Sequence, residues 1–415
     1  IYYFRITANY ENENQSSESF QPYFDTALKR GWPVRVNWQY VKNCGGEPCY
    51  YWAGPLEPVV SDINNDGQKE IIIYKGGWPP KIYVFKNDGS LLNGWPQNVG
   101  QSGVPGGNLH IPVIADVDND GFQEIIAYNY KKESGNHNDS ELYAFNHNGG
   151  LVNGFPINLP HDSHANVVAA DLDLDGSKEI IVKGGYGWPT SPLSIVGGNG
   201  QILSQWFLPH SFDGLPASIP AVGNFDNDPE LEIVIARPDA TAGWDGTAWN
   251  NTGYLAVYNI DGTLLPGWPV YTDGFILSSP AVGDVNCDGD LEIVVGLMYS
   301  SATFPDERYG GVYIFDKVGN VLSGWPQLKG YNFWSSPSLA DIDKNGDLEI
   351  GISRLGSKVY LFNHDGALIS GWPQQTALPC CFWDDYYGNV IGDINGDRLP
   401  DLVTTAGGGV VGSGV

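Results

Sequence analysis

Oxygen-bearing side chains recur in this chain at one fixed spacing. In the decapeptide DVDNDGFQEI, residues 116–125, Asp116, Asp118, Asp120 and Glu124 stand at positions one, three, five and nine. Oxygens at alternating positions can converge on one hard cation, the glycine at position six permits the sharp turn, and the position-seven carbonyl can complete the shell. That chemistry is calcium ligation. The pattern returns as Asp62, Asn64, Asp66 and Glu70, as Asp171, Asp173, Asp175 and Glu179, and as Asn224, Asp226, Asp228 and Glu232. It returns again as Asp284, Asn286, Asp288 and Glu292, as Asp341, Asp343, Asn345 and Glu349, and as Asp393, Asn395, Asp397 and Asp401. Up to seven structural Ca2+ ions are expected, each tying two strands together. The Asn224 loop, with Pro229 at position six, and the Asp393 loop, with Arg398 there, are the least secure.

First positions spaced by 54, 55, 53, 60, 57 and 52 residues fill nearly all of the 415-residue chain with one array. Each repeat has the plan seen from 278 to 326: SSPAVGDV, the acidic loop, EIVVGLMY, a polar loop, GVYIFD, a KVGN turn and VLSGWP. Short β-branched runs between Gly, Asn and Asp turns are strand signals, and no helical periodicity appears. Four-stranded units of this length predict an all-β fold, a single seven-bladed β-propeller of antiparallel blades spanning 1–415, with the acidic loops between first and second strands.

The repeats resemble the FG-GAP and VCBS-type repeats of the integrin-alpha amino-terminal propeller and of many secreted bacterial proteins, over roughly 58–402. The resemblance implies the same propeller fold and calcium loops.

The net charge of -27 argues against nucleic acid and anionic membrane as partners. Of the 48 carboxylates, 23 occupy ligand positions of the seven loops, so the acidity is largely ligand chemistry. No apolar run of eighteen residues and no signal-type opening is present, so no direct membrane insertion is expected. Millimolar calcium outside cells suits loops that carry Asn for Asp, which points to an extracellular or cell-surface location. The cysteines agree: Cys44 and Cys49 flank a GGEP turn within an insertion at 34–57 and can bridge, and Cys380 adjoins Cys381. Cys287 is left over at position four of a loop, where a passive thiol is expected. Asn14, Asn138 and Asn250 begin glycosylation sequons.

The triplet GWP, with Trp32, Trp95, Trp268, Trp325 and Trp372, and GFP at Phe155, is read as ending the fourth strand and filling the gap between blades. The last repeat supplies two strands, while YFDTALKRGWP, residues 23–33, reads as the outer two strands of a blade. Residues 1–33 are therefore expected to complete the seventh blade, either in the same molecule or in a neighbour.

Turns between first and second strands share one face of a propeller, so the other face carries the long, non-repeating loops. These hold Trp78, Tyr186, Trp188, Trp244, Trp249, Tyr299 and Tyr309, and the channel mouth adds Trp334 and Tyr387. Aromatic rings among amides and carboxylates suit sugar faces or a protein hot spot. Trp78, Tyr186, Trp188, Trp244, Trp249, Tyr309, Trp334 and Tyr387 are the candidate ligand-binding residues. His110, His161, His164, His210, Asp384, Asp385 and Tyr386 lie near the same mouth, where a His/Tyr pair can act as base and acid.

The leading reading is an extracellular calcium-stabilised adhesion or recognition module for a protein or glycan, with no assigned catalytic residue. A polysaccharide lyase using the His/Tyr mouth is the alternative, and a surface polymer joined by strand complementation at the seventh blade is another. No nucleophile elbow, HExxH or phosphate loop favours other enzymes.

Overall fold

The structure, a computed structural model, describes residues 58–75, 79–100, 111–130, 140–161, 165–184, 192–209, 218–226, 228–239, 252–298, 310–328, 333, 335–354, 358–375, 389–392 and 401–404. Among the described residues every regular element is a strand, as the β-branched runs predict. The chain divides into two compact units, residues 1–163 and 164–415.

Among the described residues the first unit holds two sheets. One orders Val59–Ser61, Glu70–Lys75, Lys81–Phe85 and Gln97–Asn98, and the other Val113–Ala115, Glu124–Tyr130, Ser140–Phe145 and Ile157–Leu159. All pairings are antiparallel between sequence neighbours, so each sheet is a meander. Side chains alternate across a strand, and here both faces are covered. Ile72, Tyr74, Ile82, Val84 and Trp95 of the first sheet pack on Ile125, Ala127, Tyr143 and Phe145 of the second. Ile71, Ile73 and Phe85 form a separate buried group on the first sheet's other side.

The second unit repeats the plan. Its sheets are Asn166–Ala170, Glu179–Lys183, Pro192–Val196 and Ile202–Phe207, then Ala221–Gly223, Glu232–Asp239, Thr252–Tyr258 and Val270–Thr272. In the next, Phe275–Ile276 and Ala281–Gly283 both pair with Glu292–Met298, which pairs with Gly311–Phe315, and the fourth strand shrinks to a bridge between Val312 and Gln327. The sheet Ser338–Ala340, Glu349–Arg354, Lys358–Phe362 and Gln374–Gln375 follows, and Asn389–Gly392 pairs with Asp401–Thr404. Consecutive four-stranded sheets share apolar cores through Ile195 with Ile233, Val257 with Val295, and Ile314 with Ile352. Six four-stranded sheets and one two-stranded sheet are thus present among the described residues, the meander of propeller blades.

The GWP triplets sit differently from the expectation. They precede the fourth strand: Trp95 stands before Gln97–Asn98, after a bridge from Phe85 to Leu91. The packing role holds. Trp95 Nε1 donates to His147 O at 3.0 Å, Trp268 Nε1 to Lys317 O at 3.0 Å, and Trp325 Nε1 to His364 O at 2.8 Å. Each acceptor lies in the turn between third and fourth strands of the next sheet. The preceding glycine is required there: Gly324 has φ +90°, and a Cβ on it would collide with the Asp365 carbonyl of that turn. The third sheet lacks the triplet, and Trp206 takes its place, with its ring 5.8 Å from Tyr258.

Trp325 is buried and tied to the next turn by one bond, which separates its two contributions. Trp325→Phe, which loses the bond and part of the ring, should cost about 1–2 kcal/mol. Trp325→Ala should cost about 3–5 kcal/mol, the bond and the ring together. Urea denaturation of both variants measures the difference, and equal losses would contradict the assignment.

Candidate metal centres

Each of the first six acidic loops leaves the first strand of its sheet and returns as the second. The position-two residue anchors it: Ile63, Val117, Leu172, Phe225 and Val285 are buried in the core beneath. Position four then turns into the left-handed region, with φ between 56° and 62° at Asn65, Asn119, Leu174, Cys287 and Lys344. Non-glycine residues rarely adopt that conformation, so the loop holds it by its hydrogen bonds. This gives Cys287 its place. Its thiol is free and exposed, and its backbone makes the turn.

In the second and third loops the carboxylates at positions one, five and nine use one oxygen each to build the loop. Asp116 Oδ2 accepts from Gly121 N at 3.0 Å, Asp120 Oδ1 from Phe122 N at 2.8 Å, and Glu124 Oε2 from Val117 N at 2.9 Å. The same bonds recur around Asp171, Asp175 and Glu179 at 3.0, 2.7 and 2.8 Å. The second oxygens are left to converge. Asp116, Asp118 and Glu124 each offer one within 4.8 Å of the others, as do Asp171, Asp173 and Glu179, then Asp226, Asp228 and Glu232, and Asp341, Asp343 and Glu349. Ligand oxygens 2.3–2.6 Å from a common ion lie no farther apart than about 5 Å, so the spacing fits.

Buried oxygens without partners mark where the charge is missing. Asp116 Oδ1, Glu124 Oε1, Asp171 Oδ1, Glu232 Oε1 and Glu349 Oε1 are shielded from solvent and accept no hydrogen bond. Such atoms cost free energy unless a proton or cation meets them. Burial accordingly pushes Glu124 and Glu292 up to about 7, against the Val117 and Val285 N–H bonds that lower them and with neighbouring aspartates adding to the rise. Glu70, Glu179, Glu232 and Glu349 are raised for the same first cause. The residues fit a bound divalent cation. Such an ion would supply positive charge and ligand sites for the bare oxygens.

Asn at position three has a visible effect. Asn64 Oδ1 accepts from Asp66 N, which leaves Nδ2 donating to Asp66 Oδ2 at 3.3 Å, and Asn286 Nδ2 donates to Asp288 Oδ2 at 3.0 Å. In these two loops an amide NH2 stands where Asp118 and Asp173 present oxygen. The Asn224 loop, expected to be weak, brings Asp226, Asp228 and Glu232 together all the same. Its position-one amide donates to the Asp228 carbonyl at 2.5 Å, and Pro229 has no N–H for the usual bond to position one.

The sequence of residues 62–127 matches the family model of the FG-GAP-like repeat. Residues 62–127 form an FG-GAP-like repeat. The match runs from the first acidic loop into the strand after the second, so it covers two of the loops described above. No curated protein matches the chain. Among solved structures, an exotype rhamnogalacturonan lyase is similar at 17% identity and TM-score 0.44, over 76% of this chain and 59% of the lyase, so the chain spans less than two thirds of that protein. The V. cholerae biofilm matrix protein Bap1 is similar at 15% identity and TM-score 0.40, over 85% and 84%. Saccharomyces cerevisiae Sqt1 is similar at 10% identity and TM-score 0.49, over 80% and 77%.

At the end of each sheet opposite its acidic loop, little of the expected ligand-binding set can be placed. Trp78, Tyr186, Trp188, Trp244, Trp249, Tyr309, Trp334 and Tyr387 lie outside the described residues, as do Asp393, Asn395, Asp397, the four other cysteines and His110, His164 and His210. Asp401 begins a described strand, Asp401–Thr404. His161 is fully buried, and burial holds its imidazole down to about 3, so it is neutral and a poor base near pH 7. Two buried cations escaped sequence reading. Lys183 is pushed down to about 7 by burial and then by Arg237, and its Nζ donates to Ser218 O at 2.8 Å and Ala236 O at 3.4 Å. The Arg237 guanidinium lies 4.9 Å over the Tyr254 ring. Both follow unbroken apolar runs at the far end of second strands, which reads in sequence as a strand's exposed end.

The raised glutamates fix a pH dependence. A carboxylic acid held at about 7 in the fold and at 4.5 in the unfolded chain stabilises the fold fully below 4.5, and that contribution is lost as pH rises through about 7. In EGTA the melting temperature should therefore fall between pH 4.5 and 7. In saturating calcium, where the glutamate is ionised in the bound fold and in the unfolded chain alike, it should stay level over the same interval. Parallel curves with and without calcium would contradict the assignment.

Proposed function

We propose that the chain is an extracellular, calcium-stabilised seven-bladed propeller that recognises a protein or glycan through the face away from its acidic loops. The observation that carries this reading is the repetition of one loop geometry in six successive sheets, with buried bare carboxylate oxygens at four of them. A feature present in every repeat serves the scaffold. Recognition then falls to the loops between second and third strands, whose lengths and compositions differ from repeat to repeat.

The ions are calcium in this reading, because the ligands are all oxygen and the loops are short and partly exposed. Ligands Asp62, Asp66, Asp284 and Asp288 hold theirs with Asn64 and Asn286 turned, and Asp393, Asn395, Asp397 and Asp401 form the seventh set. Residues 1–33 supply the outer strands that the pair Asn389–Gly392 and Asp401–Thr404 lacks among the described residues. Trp78, Tyr186, Trp188, Trp244, Trp249, Tyr309, Trp334 and Tyr387 are the ring surfaces available to the partner. Among the described residues no helix is long and apolar enough to cross a membrane.

Two measurements separate scaffold from recognition. Chelation by EGTA should lower the melting temperature by several degrees or more, since loss of an ion bound far above its dissociation constant removes about 2–4 kcal/mol per site. Replacing Trp244 and Trp249 together by Ala should abolish binding on a glycan array or protein pull-down and leave the melting temperature unchanged. An unchanged melting temperature in EGTA, or full binding by the double variant, would refute the corresponding half.

A further inference from the structure

The acidic loops are not independent of one another. In the first unit Glu70 Oε2 accepts from Ile63 N at 3.1 Å, and the carbonyl of that same Ile63 accepts from Gln123 N at 3.3 Å. Gln123 precedes Glu124, the position-nine carboxylate of the next loop. A single residue thus joins one buried glutamate to the neighbour of another. The relay repeats in the second unit. Glu179 Oε2 accepts from Leu172 N at 2.8 Å and Leu172 O from Leu231 N at 2.7 Å, next to Glu232. Glu292 Oε2 accepts from Val285 N at 2.7 Å and Val285 O from Leu348 N at 3.0 Å, next to Glu349.

Position four adds a second contact on the same seam. Asn65 Nδ2 donates to the carbonyl of Gly121 at 2.5 Å, so the left-handed residue of the first loop grips the turn of the second. In the fifth and sixth repeats, a Cβ on Gly346 would stand 3.6 Å from the Cys287 sulfur, the corresponding pair of positions. Between the fourth and fifth repeats the seam changes. No bond from Leu291 N to Phe225 O occurs among the described residues, although the Leu291 side chain lies near Gly223 as Leu348 does near Gly283. The fourth loop is the one with Pro229 in place of glycine.

Three loops also reach outward to the turn that receives the preceding tryptophan. The Phe122 ring lies 4.3 Å from His147, Asp290 pairs with Lys317 at 2.8 Å, and Asp347 pairs with His364 at 3.1 Å. Those three residues carry the carbonyls that accept from Trp95, Trp268 and Trp325. Position seven therefore joins the ion loop to the outer seam of the same pair of sheets.

We infer that metal ions in neighbouring FG-GAP-like loops bind as coupled pairs, in repeats one and two, three and four, and five and six, and that Asn65 is a positioning residue for the first pair. The inference rests on the calcium reading above. An ion that draws Glu349 toward itself fixes the peptide at Leu348, which fixes the Val285 peptide and with it the Glu292 carboxylate. The second site is then partly ordered before its ion arrives, and less conformational entropy is lost on binding. By reciprocity each ion raises the affinity of the other by the same factor.

The test uses the full chain and calcium alone, by calorimetric titration, with the melting temperature in saturating calcium as the check on folding. Glu349→Gln should remove one ion and weaken the ion at the Asp284 loop about fivefold or more. The double variant Glu292→Gln, Glu349→Gln should then lose less than the sum of the single losses. The pair Glu232→Gln, Glu292→Gln should lose the sum. Asn65→Gly, which keeps the left-handed backbone and removes no ligand, should weaken calcium at the Asp116 loop and leave the other pairs unchanged. Additive losses for Glu292 and Glu349, or unchanged affinity in Asn65→Gly, would overturn the coupling while calcium binding stands. Absence of calcium binding by the unaltered chain would overturn the calcium reading and the coupling together.

Discussion

The structure depends on a glutamate buried at the start of the second strand in six of the seven described sheets. Glu70, Glu124, Glu179, Glu232, Glu292 and Glu349 are all nearly inaccessible to solvent, and each spends one oxygen on the N–H of its own loop's position two. A carboxylate in that position tolerates its own charge only if a cation or a proton meets the other oxygen. The loop must therefore curl back over it, and the left-handed turn at position four, the glycine at six and the alternating ligands follow from that demand. Acidic clusters on a protein surface are ordinary. A buried glutamate recurs in six loops, and the oxygen left without a hydrogen bond at Glu124, Glu232 and Glu349 fits a bound cation.

The same residue explains how the sheets hold together. An apolar core covers the faces between neighbours, but apolar packing is non-directional and fixes no register. Direction comes from hydrogen bonds on the loop side, an inner line from position eight to position two at three seams and an outer line from the tryptophan to the next turn at three. Position-seven side chains connect the lines. The outer line places an indole N–H, an obligatory donor when buried, against a backbone carbonyl, and the glycine before it lets the chains approach. The motif that looked like a strand terminator is thus a joint between repeats.

Most of the architecture was legible because it repeats. Period, strand plan, loop position and the interblade role of the GWP ring all follow from aligned copies, and one family-model match over 62–127 covers what the first two copies already show. What sequence could not supply was conformation at positions with no side-chain signature. Asn, Leu, Cys and Lys at position four share no chemistry, so their common left-handed backbone was invisible, as was the peptide relay through position two. At the Asn224 loop Asp226, Asp228 and Glu232 come together despite Asn at position one, and nothing in the sequence signalled that Asn64 and Asn286 at position three would present an amide hydrogen side to the centre. Lys183 and Arg237 were missed because a basic residue after an apolar run looks solvent-exposed until the loops around Ser218 and the Tyr254 ring close over it.

The central claim is that buried, partly protonated glutamates wait in these loops for a divalent cation. Calcium titration calorimetry at pH 6 in buffers of different ionisation enthalpy tests it most directly. With Glu124 and Glu292 held at about 7, both are largely protonated at that pH, and an ion must expel those protons to bind. The account predicts binding heats that change with buffer in proportion to about one proton for each of these two sites, and that this dependence vanishes above pH 8. Calcium binding with the same heat in every buffer at pH 6 would contradict it.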